Sequence, residues 1–205
     1  MGTPIDVSGF GKLSIASNAN APLLVVFGGI PVLQSVIDGI RRDSRHDPMV
    51  GSAVYMWNYM NDVSDRFHVF VAIDPHVVDG VKAYEALMNT VSDKNLTPSQ
   101  QILYLFSGGW KPGRALLQGK GDALFSSIFL VDIWMGNATS SDFYRQLAST
   151  KAQKITYAYT SFGANNDDTR DYIASQVGST RAVQVPGGGM ATHMKTNKVA
   201  VGMLP

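Results

Sequence analysis

The sequence predicts an α/β protein, a mostly parallel sheet flanked by helices on both faces, folded as a single domain over residues 1–205. Three observations carry this. Short continuous apolar runs such as PLLVVF (22–27) and ILYLF (102–106) fit strands buried on both faces, as in a parallel sheet. Segments with helical spacing of apolar residues lie between such runs. The alternation repeats about five times along the chain, the rhythm of βαβ units rather than of a bundle or a sandwich. The 205 residues suffice for one sizeable core and leave little for a second large unit.

Taken in order, a polar opening with weak strand character at 12–15 leads to the run at 22–27, which ends in Gly28 and Gly29. Residues 33–50 are polar and charged, with Arg41, Arg42, Arg45 and His46 balanced by Asp38, Asp43 and Asp47, and read as an exposed loop or short helix. Residues 51–60 are rich in aromatics and methionine, suited to core or to the wall of a pocket. The run FHVFVAI (67–73) is a strand with one polar face at His68, and 77–91 carries apolar residues at near-helical spacing, a crossover helix. Further strands are expected at 126–134, 154–162 and 181–185, with helices at 140–149 and 169–177. His193 then follows a glycine-rich turn, PGGG, in an expected loop.

Composition excludes several classes. A formal net charge of +1 gives no long-range attraction to nucleic acid or an anionic membrane. Without cysteine there is neither a disulfide framework nor a thiolate metal site. No HExxH, no Walker loop, no GxGxxG after the first strand and no His/Asp/Glu cluster with metal spacing is present, so no metal and no cofactor are expected. The N-terminal stretch lacks a basic start and an apolar h-region, and no apolar run is long enough to span a bilayer. A cytoplasmic protein acting on a small-molecule substrate is the expectation, compatible with a homo-oligomer.

The most informative stretch is QILYLFSGGWKPGRALL (101–117). A strand runs directly into Ser107, two glycines remove the Cβ atoms that would obstruct a sharp turn, and Pro112 stands where only the first turn of a helix tolerates it. This strand, serine-bearing turn and helix resemble the nucleophile elbow of the α/β-hydrolase family. SGGWKPGRALL is also similar to elbows of the form S-G-[AG]-aromatic-basic-P in small hydrolase-like proteins. The sequence departs from GxSxG at Leu105, where glycine would stand.

The resemblance implies an α/β-hydrolase-like fold and a Ser-His-Asp constellation in the chain order serine, acid, histidine. Ser107 is the implied nucleophile and His193 the implied base, since His46, His68 and His76 all precede the serine. The acid is Asp132, or alternatively Asp167 or Asp168 in the NNDD stretch before a helix. Asp132 is favoured because an aspartate inside FLVDIW needs a partner to offset its burial and because LVDIWMG resembles the LLDALYG stretch associated with such elbows. Asp167 and Asp168 also suit plain N-cap roles. The implied oxyanion hole combines the backbone N–H of Gly108 with one from the Gly29-Ile30 turn. Trp110, Tyr55 and Trp57 are candidates for contacting an apolar or planar substrate. The implied activity is hydrolysis of an ester, thioester or amide through an acyl-enzyme. Leu105 and Phe106, where relatives carry Gly-His, leave room for a lyase, cyclase or acyl transferase on the same fold, or for a binding protein without chemistry.

Overall fold

The computed structural model describes residues 4–29, 56, 59–73, 78–133, 135, 137–161 and 168–205. Within them the chain forms strands β1 (Ile5–Asp6), β2 (Gly11–Ser14), β3 (Leu23–Phe27), β4 (His68–Ala72), β5 (Gln101–Phe106), β6 (Ser127–Val131), β7 (Ile155–Tyr159) and β8 (Ala182–Gln184). The helices are α1 (Gly80–Asp93), α2 (Trp110–Lys120), α3 (Ala138–Lys151), α4 (Thr169–Val177) and α5 (Gly189–Val201). The strands make one eight-stranded sheet in the order β1-β2-β4-β3-β5-β6-β7-β8. β2 runs antiparallel to both β1 and β4, and every pairing from β4 to β8 is parallel.

The apolar runs are buried on both faces, as their composition demands. β3 and β4 have no exposed position, and alternate residues enter two separate cores. Leu23, Val25, Phe27, Leu103, Leu105 and Leu130 pack with Leu87 of α1, Leu116 of α2, Tyr144 of α3 and Ile173 of α4. Leu24, Val26, Tyr104, Phe106, Phe129 and Val131 pack on the opposite face with Met56, Met60 and, from α5, Ala200. Period-two alternation thus selects which helix each strand residue meets.

Helix starts follow ordinary capping rules. Asp79 accepts hydrogen bonds from the N–H groups of Val81 and Lys82 at 3.0 and 3.2 Å, opening α1. Asn137 accepts one from Ser140 at 2.9 Å, opening α3. Pro112 lies in the first turn of α2, where its missing N–H costs nothing.

Two expectations need correction. The polar face at His68 does not exist: the side chain is buried, Nδ1 accepts from Ala16 N–H at 3.2 Å and Nε2 donates to the Ala19 carbonyl at 3.1 Å. Both ring nitrogens are satisfied by backbone, so burial carries no unmet polar cost. The loop expected around His193 is helix α5; after its glycines the segment MATHMKTNKVAV is free of proline and further glycine, and one apolar side packs on the sheet. Residues 33–50, and the turn at 74–76, lie outside the described residues.

The parallel order brings a topological switch point to the middle of the sheet. β3 lies between β4 and β5; the chain passes from β3 to β4 on one side and from β5 to β6 on the other, so the connections of these two neighbours diverge, which opens a crevice beyond the strand ends. Register sharpens this: Phe106 pairs with Val131, and Val131 with Ala158. Ser107, Asp132 and Tyr159 are therefore the next residues out along one edge.

Packing of α1 on α2 is close enough to require glycine. A Cβ on Gly80 would lie 2.1 Å from the Pro112 carbonyl oxygen, a backbone atom that cannot step aside. Gly80→Ala is expected to destabilise the protein by about 1–3 kcal/mol in urea unfolding; an unchanged midpoint would contradict this helix contact.

Candidate active site

Ser107 has φ of 50°, a left-handed conformation that a non-glycine residue adopts at a cost of about 1–3 kcal/mol and that concentrates at functional sites. The strain comes from the reversal between β5 and α2, through a 3₁₀ turn at Ser107–Gly109. Neighbours lock it in place. A Cβ on Gly109 would lie 2.1 Å from the Phe27 carbonyl oxygen and 2.9 Å from that of Gly28, so the turn presses directly on the end of β3. A Cβ on Gly29 would lie 3.0 Å from Ser107 Cβ, which puts the Gly28-Gly29 backbone against the serine.

Leu105 fits the same geometry. The elbow lacks a glycine two residues before the serine, but a Cβ on Gly113 would lie 2.3 Å from Leu105 Cδ2. The small residue that lets strand and helix approach is on the helix instead of the strand.

Asp132 follows β6 directly, has φ of 40° and is fully buried. Aspartate tolerates this backbone better than most residues. Its carboxylate is well supplied with donors. The Thr160 N–H donates to Oδ1 at 2.9 Å and the Thr160 hydroxyl to Oδ2 at 2.8 Å. His193 Nδ1 lies 2.5 Å from Oδ2. Burial pushes the Asp132 carboxyl upward, but the hydrogen bond and charge of His193, with the two bonds from Thr160, outweigh it and hold the group below its ordinary value. An ionised carboxylate only accepts, so Nδ1 carries the hydrogen and donates it.

His193 is 4% exposed. Its ring stacks on Phe106, with centroids 4.7 Å apart and planes inclined by 27°. Phe106 immediately precedes Ser107, so the imidazole lies at the elbow, on the face of the sheet that α5 covers. One helical turn along, the Tyr104 hydroxyl donates to Asn197 Oδ1 at 2.8 Å. Residues four apart share a helix face, so this buried bond and the His193 stack tie one side of α5 to β5.

The other candidates are placed as follows. Asp168 is at the start of α4, its side chain 80% exposed and paired with Arg145; its carboxylate makes no capping hydrogen bond. Asp132, not Asp168, is the carboxylate that meets His193. Gly108 is buried in the turn after Ser107. Trp110 is buried in the core with α2, Arg114 and Lys111 each standing 5.9 Å from its ring centroid, and its carbonyl accepts from the Tyr144 hydroxyl at 3.0 Å. Asp167, Ile30, Tyr55 and Trp57 lie outside the described residues. Thr160 and Arg170, both beside Asp132, escape sequence reading, since a threonine after a strand and an arginine in a helix carry no distinguishing signal. Among the described residues no group of three or more His, Cys, Asp or Glu side chains could hold a metal ion, and no helix is long and apolar enough to cross a membrane.

No protein-family model and no curated protein matches the chain. Among solved structures, a protein from Thermoplasma acidophilum described as a predicted CIB-like hydrolase is similar over 98% of this chain and 95% of its own, with a TM-score of 0.52 and 11% identity. The fold is that of the α/β-hydrolases. Est1E from Butyrivibrio proteoclasticus also matches, over 98% of this chain and 96% of its own, with a TM-score of 0.49 and 12% identity. Within the α/β-hydrolase fold, the serine turn of this chain occupies the strand-to-helix corner where that architecture exposes a side chain above the sheet.

The depressed Asp132 carboxyl has a consequence for acid stability. An unfolded chain, with this group near 3.8, binds its proton at higher pH than the folded one. The contribution is therefore fully present above that value and lost as pH falls through the lower folded value. Between about pH 4.5 and pH 2.5, wild-type stability is expected to fall more steeply than that of Asp132→Asn, measured by urea unfolding at each pH. Parallel curves would mean that the carboxylate is not held ionised.

Proposed function

We propose that this protein is a serine hydrolase that cleaves an ester, thioester or amide through an acyl-enzyme, with Ser107, His193 and Asp132 as its triad. The observation that carries the reading is the Asp132–His193 hydrogen bond, at 2.5 Å, with the imidazole stacked on the residue before the strained serine. A serine hydroxyl is a weak nucleophile at neutral pH and needs a base in reach. His193 Nε2, on the ring edge away from Asp132, takes the Ser107 proton as Oγ attacks the substrate carbonyl. Asp132 fixes the tautomer and stabilises the imidazolium that forms. The imidazolium then protonates the leaving group, and the ester left on Ser107 is hydrolysed by water, with His193 again as base.

The Gly108 N–H, in the turn that carries the nucleophile, supplies one oxyanion donor, worth about 3 kcal/mol in the transition state. A second comes from the Gly29-Ile30 backbone, consistent with the close approach of Gly29 to Ser107. No cofactor is required, since every proton transfer has a residue to carry it. The Thermoplasma acidophilum protein of similar fold is described as a predicted hydrolase, and a small-molecule ester fits the same reading here.

A fluorophosphonate probe tests the nucleophile. Covalent labelling is expected on wild type, absent in Ser107→Ala and sharply reduced in His193→Ala; well-folded wild type that stays unlabelled would sink the proposal. With a panel of p-nitrophenyl esters, Asp132→Asn is expected to lower kcat by about 10⁴-fold, whereas a loss below tenfold would remove Asp132 from the triad. Labelling without turnover of any ester would point to acyl transfer rather than hydrolysis.

A further inference from the structure

Arg170, on α4, is buried beside Asp132, its side chain only 10% exposed. A guanidinium out of water costs several kcal/mol unless its donors and charge are well met. Here Nη2 lies 3.6 Å from Asp132 Oδ1, too far for a hydrogen bond; the guanidinium also acts on the buried Tyr157 hydroxyl, and among the described residues Nε and Nη1 have no well-formed hydrogen bond. The pair is therefore poor as a structural clamp. A fork-to-fork salt bridge selected for stability would engage both carboxylate oxygens. What the arrangement does supply is a positive charge behind the carboxylate, facing Oδ1, while His193 holds Oδ2.

The groups that face this carboxylate come from four segments. His193 on α5 and Thr160 after β7 donate to it. Arg170 on α4 is the second cation. Tyr157 on β7 feels it as a charge, and its own hydroxyl is held protonated, far above its ordinary value, by burial, with the charge of Arg170 opposing and that of Asp132 adding. The neighbouring Arg145 is engaged at the surface, with Asp168 and the Thr169 hydroxyl.

We propose that Arg170 is a positioning residue that acts through Asp132, offsetting part of the field with which the buried carboxylate holds the His193 imidazolium formed during the reaction. The inference rests on the Ser-His-Asp reading above. A lone buried carboxylate bonded to an imidazole favours its charged form strongly. A base that is already protonated cannot take a proton from serine. The cation on the far side of Asp132 offsets part of that field, and its distance leaves the Asp132–His193 bond intact.

The test is a pH profile of kcat/KM for p-nitrophenyl acetate, with a parallel NMR titration of the histidine ring protons, the His193 signals assigned from their loss in His193→Ala. In Arg170→Gln the acidic limb and the ring titration are expected to move upward by about one pH unit, so that activity below the limb falls about tenfold. Arg170→Lys, which keeps the charge, is expected to leave both near the wild-type position. A folded Arg170→Gln with neither moved, or a Lys variant displaced as far as the Gln variant, overturns the proposal. If Arg170→Gln does not fold, Arg170→Met, with no polar atoms to leave unpaired, is read in the same way. The ring titration needs no turnover, so a shift there in protein that takes no fluorophosphonate leaves the electrostatic role standing and removes the hydrolase reading. Normal labelling with an unmoved titration removes the role of Arg170 alone.

Discussion

A buried carboxylate beyond the end of β6 is the constraint around which this end of the molecule is arranged. Asp132 is fully buried, and an ionised carboxylate there is tolerable only if its oxygens are occupied. Thr160 supplies both a backbone and a hydroxyl donor, and His193 supplies the shortest contact. These partners come from just beyond β7 and from α5, so the charge stitches together three segments that lie apart in the chain. The Nδ1 bond to this carboxylate and the Phe106 stack together set the orientation of the imidazole.

The other half of the site is a steric problem with a local solution. The chain must reverse between β5 and α2 at the centre of the sheet, where the end of β3 leaves almost no room. Gly109 makes the approach feasible, and Ser107 takes the strained backbone conformation. The strain is offset by the burial of β5 on both faces and of α2 against the core. The two faces then divide the labour. α2 sits on one side with the elbow, α5 on the other with His193, and Phe106 links them by stacking on the imidazole next to Ser107.

Much of this was legible in the residues because it depends on local rules. Continuous apolar runs reported the central strands, the SGG turn reported the elbow, and the helix at Thr169–Val177 matched its expected span. Asp132 stood out as a charge inside an apolar strand, and charges are rarely placed there without a partner. What could not be read depends on contacts distant in sequence. The antiparallel β1 and β2 are too short and mixed to show a period. His68 resembled a surface residue because its partners, the backbone at Ala16 and Ala19, are invisible to patterning. The glycines before His193 suggested a loop, when they instead mark the entry to α5. Leu105 looked like a departure from the elbow pattern until its contact with Gly113 showed where the small residue had gone. Arg170 gave no sign at all, since burial of an arginine is decided by the fold.

The most direct test of the account is a crystal structure of the protein after reaction with a small phosphonate ester. The account predicts phosphorus bonded to Ser107 Oγ, His193 Nε2 within hydrogen-bond distance of the adduct, Asp132 still bonded to Nδ1, and a phosphoryl oxygen on the Gly108 N–H. An adduct on another residue, or one on Ser107 with the imidazole of His193 turned away and out of reach, would contradict it.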